Sequence, residues 1–369
     1  MAAAHVGVEE TSASTGAGGA GAGSVAAAVA EPVDDTPVEL TFADGTRLFH
    51  PPGGELEAKF LHATLFTRKE YTQFGVYVRE GDAVVDVGSN IGAFANFVHA
   101  KTNGTAKLVA VEPVPRLFNV LKANVAAREW VNDPTLVMAA AGTHTGPLTF
   151  TYLPDYSLLS GIAAADPPAH EVDNMVGVVD AAREGGTSDL AAQLRAIDAK
   201  PGVSAEAAQR ERHSLIRAGI LAALSTARHF DTQCHTLSHI LRDSPLATGP
   251  IHLLKVDVEK AELDVLQSLS DADWARVQQV AVEVHSIGDR VEVIERLLTK
   301  HGFTSIRRSE ACAPKFMAYH LLGLSLGDDV SDPSAATAEG LLVNLYATRQ
   351  REAASGVVAA EDEAALASE

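Results

Sequence analysis

The sequence predicts an α/β fold: one open, mostly parallel sheet of seven strands flanked by helices. Three observations carry this. Residues 83–87, Ala-Val-Val-Asp-Val, are small or β-branched and apolar on both faces except at Asp86, as a central parallel strand requires. Gly88 to Gly92 then turn the chain into a helix expected from near Ala93. A second buried strand, Lys107–Val111, follows after one helix, and strand–helix alternation recurs toward the end of the chain.

Each element has its own signal. Val38–Phe42 alternates, Asp44-Gly45 is a hairpin turn, and Arg47–His50 returns as a strand that Pro51-Pro52-Gly53-Gly54 stops. Glu57–Glu70 reads as a helix or helix pair with Phe60, Leu61, Leu65 and Phe66 inward. This N-terminal hairpin and helix are expected to cover one edge of a ligand pocket. Phe94–Lys101 forms the first crossover helix. Pro115–Ala127, with Leu117, Val120, Leu121 and Val125 inward, forms the second. Leu136–Ala141 is the third strand, and Leu148–Tyr152 a further alternating one after the turn at 142–146. Short connections of this kind imply right-handed crossovers.

Residues 154–231 interrupt the pattern. Pro154–Gly161 is a loop and Asp166–Val179 an irregular stretch. Ser188–Ala199 and Ser204–His229 are helices capped by their serines, the second with an apolar stripe of Leu215, Leu221 and Leu224. The segment is expected to be a helical insertion over the C-terminal edge of the sheet, where open α/β folds bind ligands. Strands at 251–258 and 277–284, helices at 260–269 and 291–301, and final strands at 303–307 and 341–348 complete the fold. Residues 309–339 read as a long loop. The resulting division is an Ala/Gly-rich disordered tail at 1–36, one domain at 37–351, and an acidic disordered tail at 352–369.

The net charge of −19 is concentrated at the ends. Residues 1–35 and 352–369 together hold ten acids and no lysine or arginine, which leaves −9 on the body. An acidic body without a basic stripe argues against a nucleic-acid partner. No apolar run is long enough to span a membrane. Cys234 and Cys312 make no disulfide framework, and the N-terminal stretch lacks the basic residues of a signal or transit peptide. A reducing, cytoplasmic setting is the expectation.

The chemistry centres on residues 86–92. A strand, a glycine-bearing turn and a helix N-terminus let backbone approach a nucleotide and point free N–H groups at it. The spacing is Asp-x-Gly-x-x-x-Gly, not the Gly-x-Gly-x-x-Gly of dinucleotide folds, which counts against a nicotinamide-dependent oxidoreductase. Glu112 ends the second strand, 24 residues after Gly88, where a carboxylate can accept both ribose hydroxyls.

Asp86-Val-Gly-Ser-Asn-Ile-Gly92, Val111-Glu-Pro113, Leu254-Lys-Val-Asp-Val-Glu-Lys-Ala-Glu262 and Glu283-Val-His285 resemble, in order and spacing, the FkbM-type methyltransferases. Tyr71, Ser157–Gly161, Thr236-Leu-Ser238 and residues 344–349 are similar to that family too, and the likeness spans residues 38–349. It implies a Rossmann-like class I fold with a late antiparallel strand, S-adenosylmethionine (SAM) as cofactor, and a hydroxyl as methyl acceptor. Carried over by position, Asp86, Gly88, Ser89, Asn90 and Gly92 cradle the methionine and ribose parts. Glu112, with Pro113, holds the ribose, and Ala141 lies on the adenine side. The chain departs from the family where Ala139–Gly142 lacks an acid for the adenine amino group, and where Lys260 replaces a usual glycine.

An alcohol is a poor nucleophile, so a base is expected at the strand ends. Asp257 and Glu259 share one side of the fourth strand, and Glu283 and His285 stand likewise on the fifth. His285 is the expected general base, with Glu259 and Glu283 beside it and Asp257 orienting the acceptor hydroxyl or the cofactor's amino group. Helix capping is the competing role for Asp257 and Glu259, and a backbone tie the one for His285. No metal is expected, although these four side chains would offer Mg²⁺ an oxygen-rich set. His235 and His239, four apart, lack a third zinc ligand nearby. The expected activity is SAM-dependent O-methylation of a small-molecule or carrier-bound metabolite. An N-methyltransferase and a catalytically inactive SAM-binding module are the alternatives.

Overall fold

The structure is a computed structural model that describes residues 35–161, 169–311, 313–324 and 342–349. The expected tails, Cys312 and most of the 309–339 loop lie outside the described residues, apart from Asp35 and Thr36.

The chain opens with the hairpin β1 (Val38–Thr41) and β2 (Arg47–His50), then helix α1 (Glu55–His62), which runs into a π-helical turn at Ala63–Thr67. Next come β3 (Ala83–Val87), α2 (Ala93–Thr102), β4 (Lys107–Val111), α3 (Pro115–Ala126) and β5 (Thr135–Val137). All five residues of β3 are buried, as their composition demands. Gly92 at φ 83° opens α2, and Pro115 sits in the first turn of α3, where its missing N–H costs nothing.

Two short strands, β6 (Ala140–Ala141) and β7 (Gly146–Tyr152), precede helices α4 (Ala169–Ala181), α5 (Asp189–Asp198) and α6 (Ala205–Leu224). Ser188 and Ser204 cap α5 and α6 by accepting the Ala191 and Ala207 N–H groups. Then follow β8 (Arg228–His235), α7 (Leu237–Arg242), β9 (Leu253–Val256), α8 (Glu262–Gln267), α9 (Asp271–Trp274), β10 (Gln279–His285), α10 (Arg290–Lys300), β11 (Ser305–Glu310), α11 (Ala313–Leu322) and β12 (Leu342–Thr348).

The main sheet has seven strands in the order β11-β12-β10-β9-β3-β4-β5. Only β12 runs antiparallel, pairing β10 on one side and β11 on the other. This is the expected Rossmann-like sheet with its late return strand. The order reverses between β3 and β9, the switch point at which open α/β sheets leave a crevice. One face is filled by α7, α8 and α10 around Trp274, Leu298 and Leu345. The other is filled by α2, α3 and the N-terminal unit around Phe94, Phe97, Leu117 and Leu121.

Several expectations change. The stretch 136–141 is not one strand: β5 ends the main sheet, while β6 joins β7 and β8 in a separate three-stranded sheet. Residues 204–229 do not stay helical, because the chain leaves α6 at Leu224 and pairs residue by residue with β7. The strand Arg-His-Phe-Asp-Thr-Gln-Cys-His is polar and only partly buried, so its alternation is faint. Residues 169–179, expected irregular, form most of α4, and α11 lies inside the expected loop. On α6 the inward residues are Ile216, Ile220 and Leu224, whereas Leu221 is 49% exposed. The helix expected from Lys260 begins at Glu262, since Glu259 and Lys260 are both left-handed (φ 50° and 79°).

The inserted helices have their own core of Val176, Leu194, Ile216, Ile220 and Phe316, which reaches the rest of the domain through Phe60 of α1. Gly88 marks the tightest approach beneath the site. At φ 82°, a Cβ there would lie 1.7 Å from the Asp257 carbonyl oxygen. Gly88→Ala is therefore expected to destabilise the protein by more than about 3 kcal/mol or prevent folding. Gly202→Ala, left-handed but in open space, is expected to cost about 1–2 kcal/mol. Denaturant unfolding of both variants checks the contrast, and equal costs would refute it.

Candidate active site

The site is built at the C-terminal ends of β3, β4, β9 and β10. Register places Asp86 of β3 beside Lys255 of β9, and Lys255 beside Ala281 of β10. Paired residues share a face, so Asp86 and Lys255 meet inside the sheet layer. The Lys255 ammonium lies 3.0 Å from Asp86 Oδ1 and 3.6 Å from Asp257 Oδ2, and donates to the Gly88 carbonyl at 2.7 Å. The Tyr71 and Phe94 rings flank it at 5.2 and 5.9 Å. Burial alone would lower the ammonium's pKa, but Asp86 and Asp257 outweigh it and hold it above the usual lysine value. Tyr71 in turn donates to Asp257 Oδ2 at 2.8 Å. Burial and the neighbouring carboxylates keep that phenol protonated, far above its ordinary range.

The glycine turn is pinned to β4. Gly88 and Ser89 donate to the Val111 carbonyl, each at 3.0 Å. Glu112 accepts the Asn90 N–H at 2.8 Å on one oxygen and the Val114 N–H at 2.9 Å on the other. Burial pushes the Glu112 carboxyl up to about 7, against those two bonds. Asn90 is left-handed at φ 49°, and its amide reaches Ser157 Oγ at 2.9 Å and Glu57 Oε1 at 3.3 Å. Ser157 also donates to Glu57, so α1 ties the glycine turn to the loop that enters the insertion.

Between these groups lies a cavity of about 930 Å³ including its open mouth. Gly88, Ser89, Asn90, Glu112, Pro113 and Asp257 line it. Val114, Leu117, Ala139–Ala141 and Phe150 make one wall wholly apolar. Leu61, Thr64, Leu65 and Tyr71 of the N-terminal unit close another side, as expected of that cover.

Two expected cofactor contacts fall elsewhere. Asp86 is 0% exposed and does not line the cavity; its Oδ1 pairs with Lys255, which does. Gly92 serves packing: a Cβ there would come within 2.6 Å of Leu121 Cδ1 on α3. Sequence reading also missed Glu57. It sits beside Ala58 and three residues before Phe60 on the buried face of α1, and a lone acid on that face was the available signal.

Asp257, Glu259 and Glu283 converge, each offering an oxygen within 4.8 Å of the others. Neither acid of the pair Asp257 and Glu259 caps α8, whose N-cap is Ala261 without a side-chain bond. Burial first, then Asp257, Glu70 and Glu259, raise the Glu283 carboxyl well above the usual glutamate range.

His285 stands differently from the expectation. Its Nε2 lies 3.1 Å from Glu259 Oε2 and its Nδ1 lies 2.8 Å from Glu262 Oε1, while Arg290 holds the other Glu262 oxygen at 3.0 Å. Burial alone would lower its pKa, yet Glu259 and Glu262 raise it to about 10. At neutral pH the ring is thus an imidazolium with both N–H groups committed, and it has no lone pair for a base. His235 and His239 stack at 4.7 Å, and among the described residues no third ligand joins them.

A histidine whose folded pKa exceeds its unfolded value adds stability in full below the unfolded value and loses it as pH rises through the folded one. The His285 contribution should therefore fade between about pH 6.5 and about 10. His285→Gln is expected to cost about 3–5 kcal/mol at pH 7 and to flatten the decline in that window. Unfolding curves at a series of pH values test this, and an unchanged slope in the variant would remove the clamp from the account.

Comparison with known proteins agrees with the geometry. The family model described as the methyltransferase FkbM domain matches residues 86–305. The chain is 33% identical over 279 residues to the 31-O-demethyl-FK506 methyltransferase FkbM of Streptomyces tacrolimicus, covering 75% of this chain and 93% of that one. It is 28% identical over 288 residues to the methyltransferase sdnD of Sordaria araneosa, covering 76% and 95%. It is also 28% identical over 292 residues to the AMB antimetabolite synthetase AmbE of Pseudomonas aeruginosa, covering 77% of this chain and 12% of that protein. With an Asp-x-Gly-x-x-x-Gly turn, a carboxylate on the neighbouring strand and this sheet order in place, the chain belongs to the FkbM methyltransferase family and is a SAM-dependent methyltransferase.

Proposed function

We propose that the chain transfers the methyl group of SAM to a hydroxyl of a small-molecule or carrier-bound metabolite. The observation that carries this reading is one cavity that combines an apolar lining with the carboxylates Glu112, Asp257 and Glu259, Glu283 standing beside the last two. The slot formed by Val114, Leu117, Ala140 and Phe150 fits an adenine face, and Glu112 beside it fits a ribose diol. Asp257 suits the cationic part of the cofactor. The relative whose name specifies an oxygen position, the 31-O-demethyl-FK506 methyltransferase, supports an oxygen acceptor.

The cofactor, when bound, supplies a methyl group on a sulfonium. The residues supply the rest. Gly88, Ser89 and Asn90 floor the pocket, and Lys255 keeps Asp86 and Asp257 fixed under it. Tyr71, Phe94 and the α1 cover exclude water, so alignment can contribute several kcal/mol, on the order of 7 in favourable cases. Asp257, Glu259 and Glu283 take the role expected of His285, accepting the hydrogen of the acceptor hydroxyl. A buried carboxyl with a raised pKa is the stronger base once ionised. His285 then positions Glu259 rather than moving a proton.

The test is a thermal-shift and methyl-transfer screen with SAM against alcohols, sugars and carrier-bound acyl chains. Glu112→Gln is expected to weaken SAM about 10-fold or more. Glu283→Gln is expected to keep the SAM-induced shift and lose roughly 10²-fold in turnover. Turnover should also fall as pH drops and Glu283 takes up its proton. Full turnover in Glu283→Gln, or transfer confined to amines, would overturn the proposal.

A further inference from the structure

We propose that Asp257, Glu259 and Glu283 together hold a hard divalent cation at the tips of β9 and β10. The inference rests on the reading above, since the ion would lie where the acceptor hydroxyl is expected.

The first observation is geometric. The three carboxylate oxygens lie within 4.8 Å of one another. Oxygen ligands on opposite sides of Ca²⁺ stand about 4.6–5.2 Å apart, and those of Mg²⁺ about 4.2 Å apart. The three oxygens therefore already span a calcium-sized coordination sphere, and a small side-chain contraction reaches the magnesium size.

The second observation is the state of Glu283. Its side chain is buried, with the residue only 4% exposed, and it makes no hydrogen bond or ion pair among the described residues. Its carboxylate is nevertheless within reach of both Asp257 and Glu259. A buried polar group is expected to have a partner, and a buried carboxylate to have a cation. The other two acids already have theirs: Asp257 takes the Tyr71 hydroxyl and lies 3.6 Å from Lys255, and Glu259 takes His285 on one oxygen.

Charge points the same way. Among the described residues, Lys255, His285 and Arg290 are the cations in direct contact with Asp86, Asp257, Glu259 and Glu262, and none of the three pairs with Glu283. A divalent ion would supply Glu283 with the positive partner that those three cations do not give it. Three protein oxygens leave further positions on such an ion for water or an acceptor oxygen, and an all-oxygen set selects Mg²⁺, Ca²⁺ or Mn²⁺ over softer metals. The sequence brings these side chains together at the strand ends but leads to no expected metal, because no third carboxylate stands at an obvious offset.

The full chain, stripped with EDTA and desalted, should gain thermal stability with Mn²⁺, Ca²⁺ or Mg²⁺ but not with KCl at matched ionic strength. Titration calorimetry with Mn²⁺ should give one site. Glu283→Gln and Asp257→Asn should each weaken that binding at least about 10-fold while remaining folded by circular dichroism. A SAM-induced shift is measured in parallel on each protein. A SAM shift without any divalent-specific shift would overturn the cation site alone, as would metal binding unaltered in both variants. A divalent shift that the variants lose, with no SAM shift in the wild type, would support the cation site and overturn the proposed function instead.

Discussion

The buried pair of Lys255 and Asp86 is the contact on which the site depends. Neither side chain reaches bulk water, and each would be costly to bury alone. Together they bridge β3 and β9 at the point where strand order reverses, so the crevice that opens there has a fixed floor. Lys255 also holds the Gly88 carbonyl, which sets the glycine turn, and lies near Asp257, which starts the acceptor side. One ammonium thus positions three separate parts of the pocket. Replacing either partner would leave an uncompensated charge under all three.

The second organising feature is a graded row of acids. Asp86 is neutralised within the sheet, and Glu262 is neutralised by His285 and Arg290 at the start of α8. Asp257 and Glu259 are partly compensated, while among the described residues Glu283 has no hydrogen bond or ion pair of its own. Compensation therefore decreases from Asp86 and Glu262 to Glu283. That gradient suits a site that receives a positively charged ligand, because the least compensated charge lies beside Asp257 and Glu259, which line the cavity.

The insertion is tied to this centre at two places. Lys260, left-handed at φ 79°, reaches Glu171 of α4 at 2.6 Å. Ser157 meets Glu57 and Asn90 at the other side of the pocket. The strain of two consecutive left-handed residues, Glu259 and Lys260, is offset by what it positions: one carboxylate toward His285 and one ammonium toward the inserted helices.

The sequence by itself determined the main sheet, the glycine turn and the cover over the pocket, while the antiparallel sense of the late strand came from the family resemblance. Buried parallel strands and amphipathic helices are local, periodic signals, and the turn needs glycine at fixed positions. The sequence also brought Asp257, Glu259, Glu283 and His285 together at the strand ends, although β9 stops at Val256 and Glu259 reaches the group from a left-handed turn. Tertiary structure alone decided the rest. The β8 strand is half-exposed and finds its register only against β7, so its own composition resembles a helix end. His285 looks like a base in isolation and becomes an imidazolium because Glu262 of α8 closes on its second nitrogen. Asp86 loses its expected contact to Lys255, its cross-strand neighbour 169 positions later in the chain. In each case the deciding partner is distant in sequence, and protonation or pairing depends on the field of that partner rather than on the residue itself.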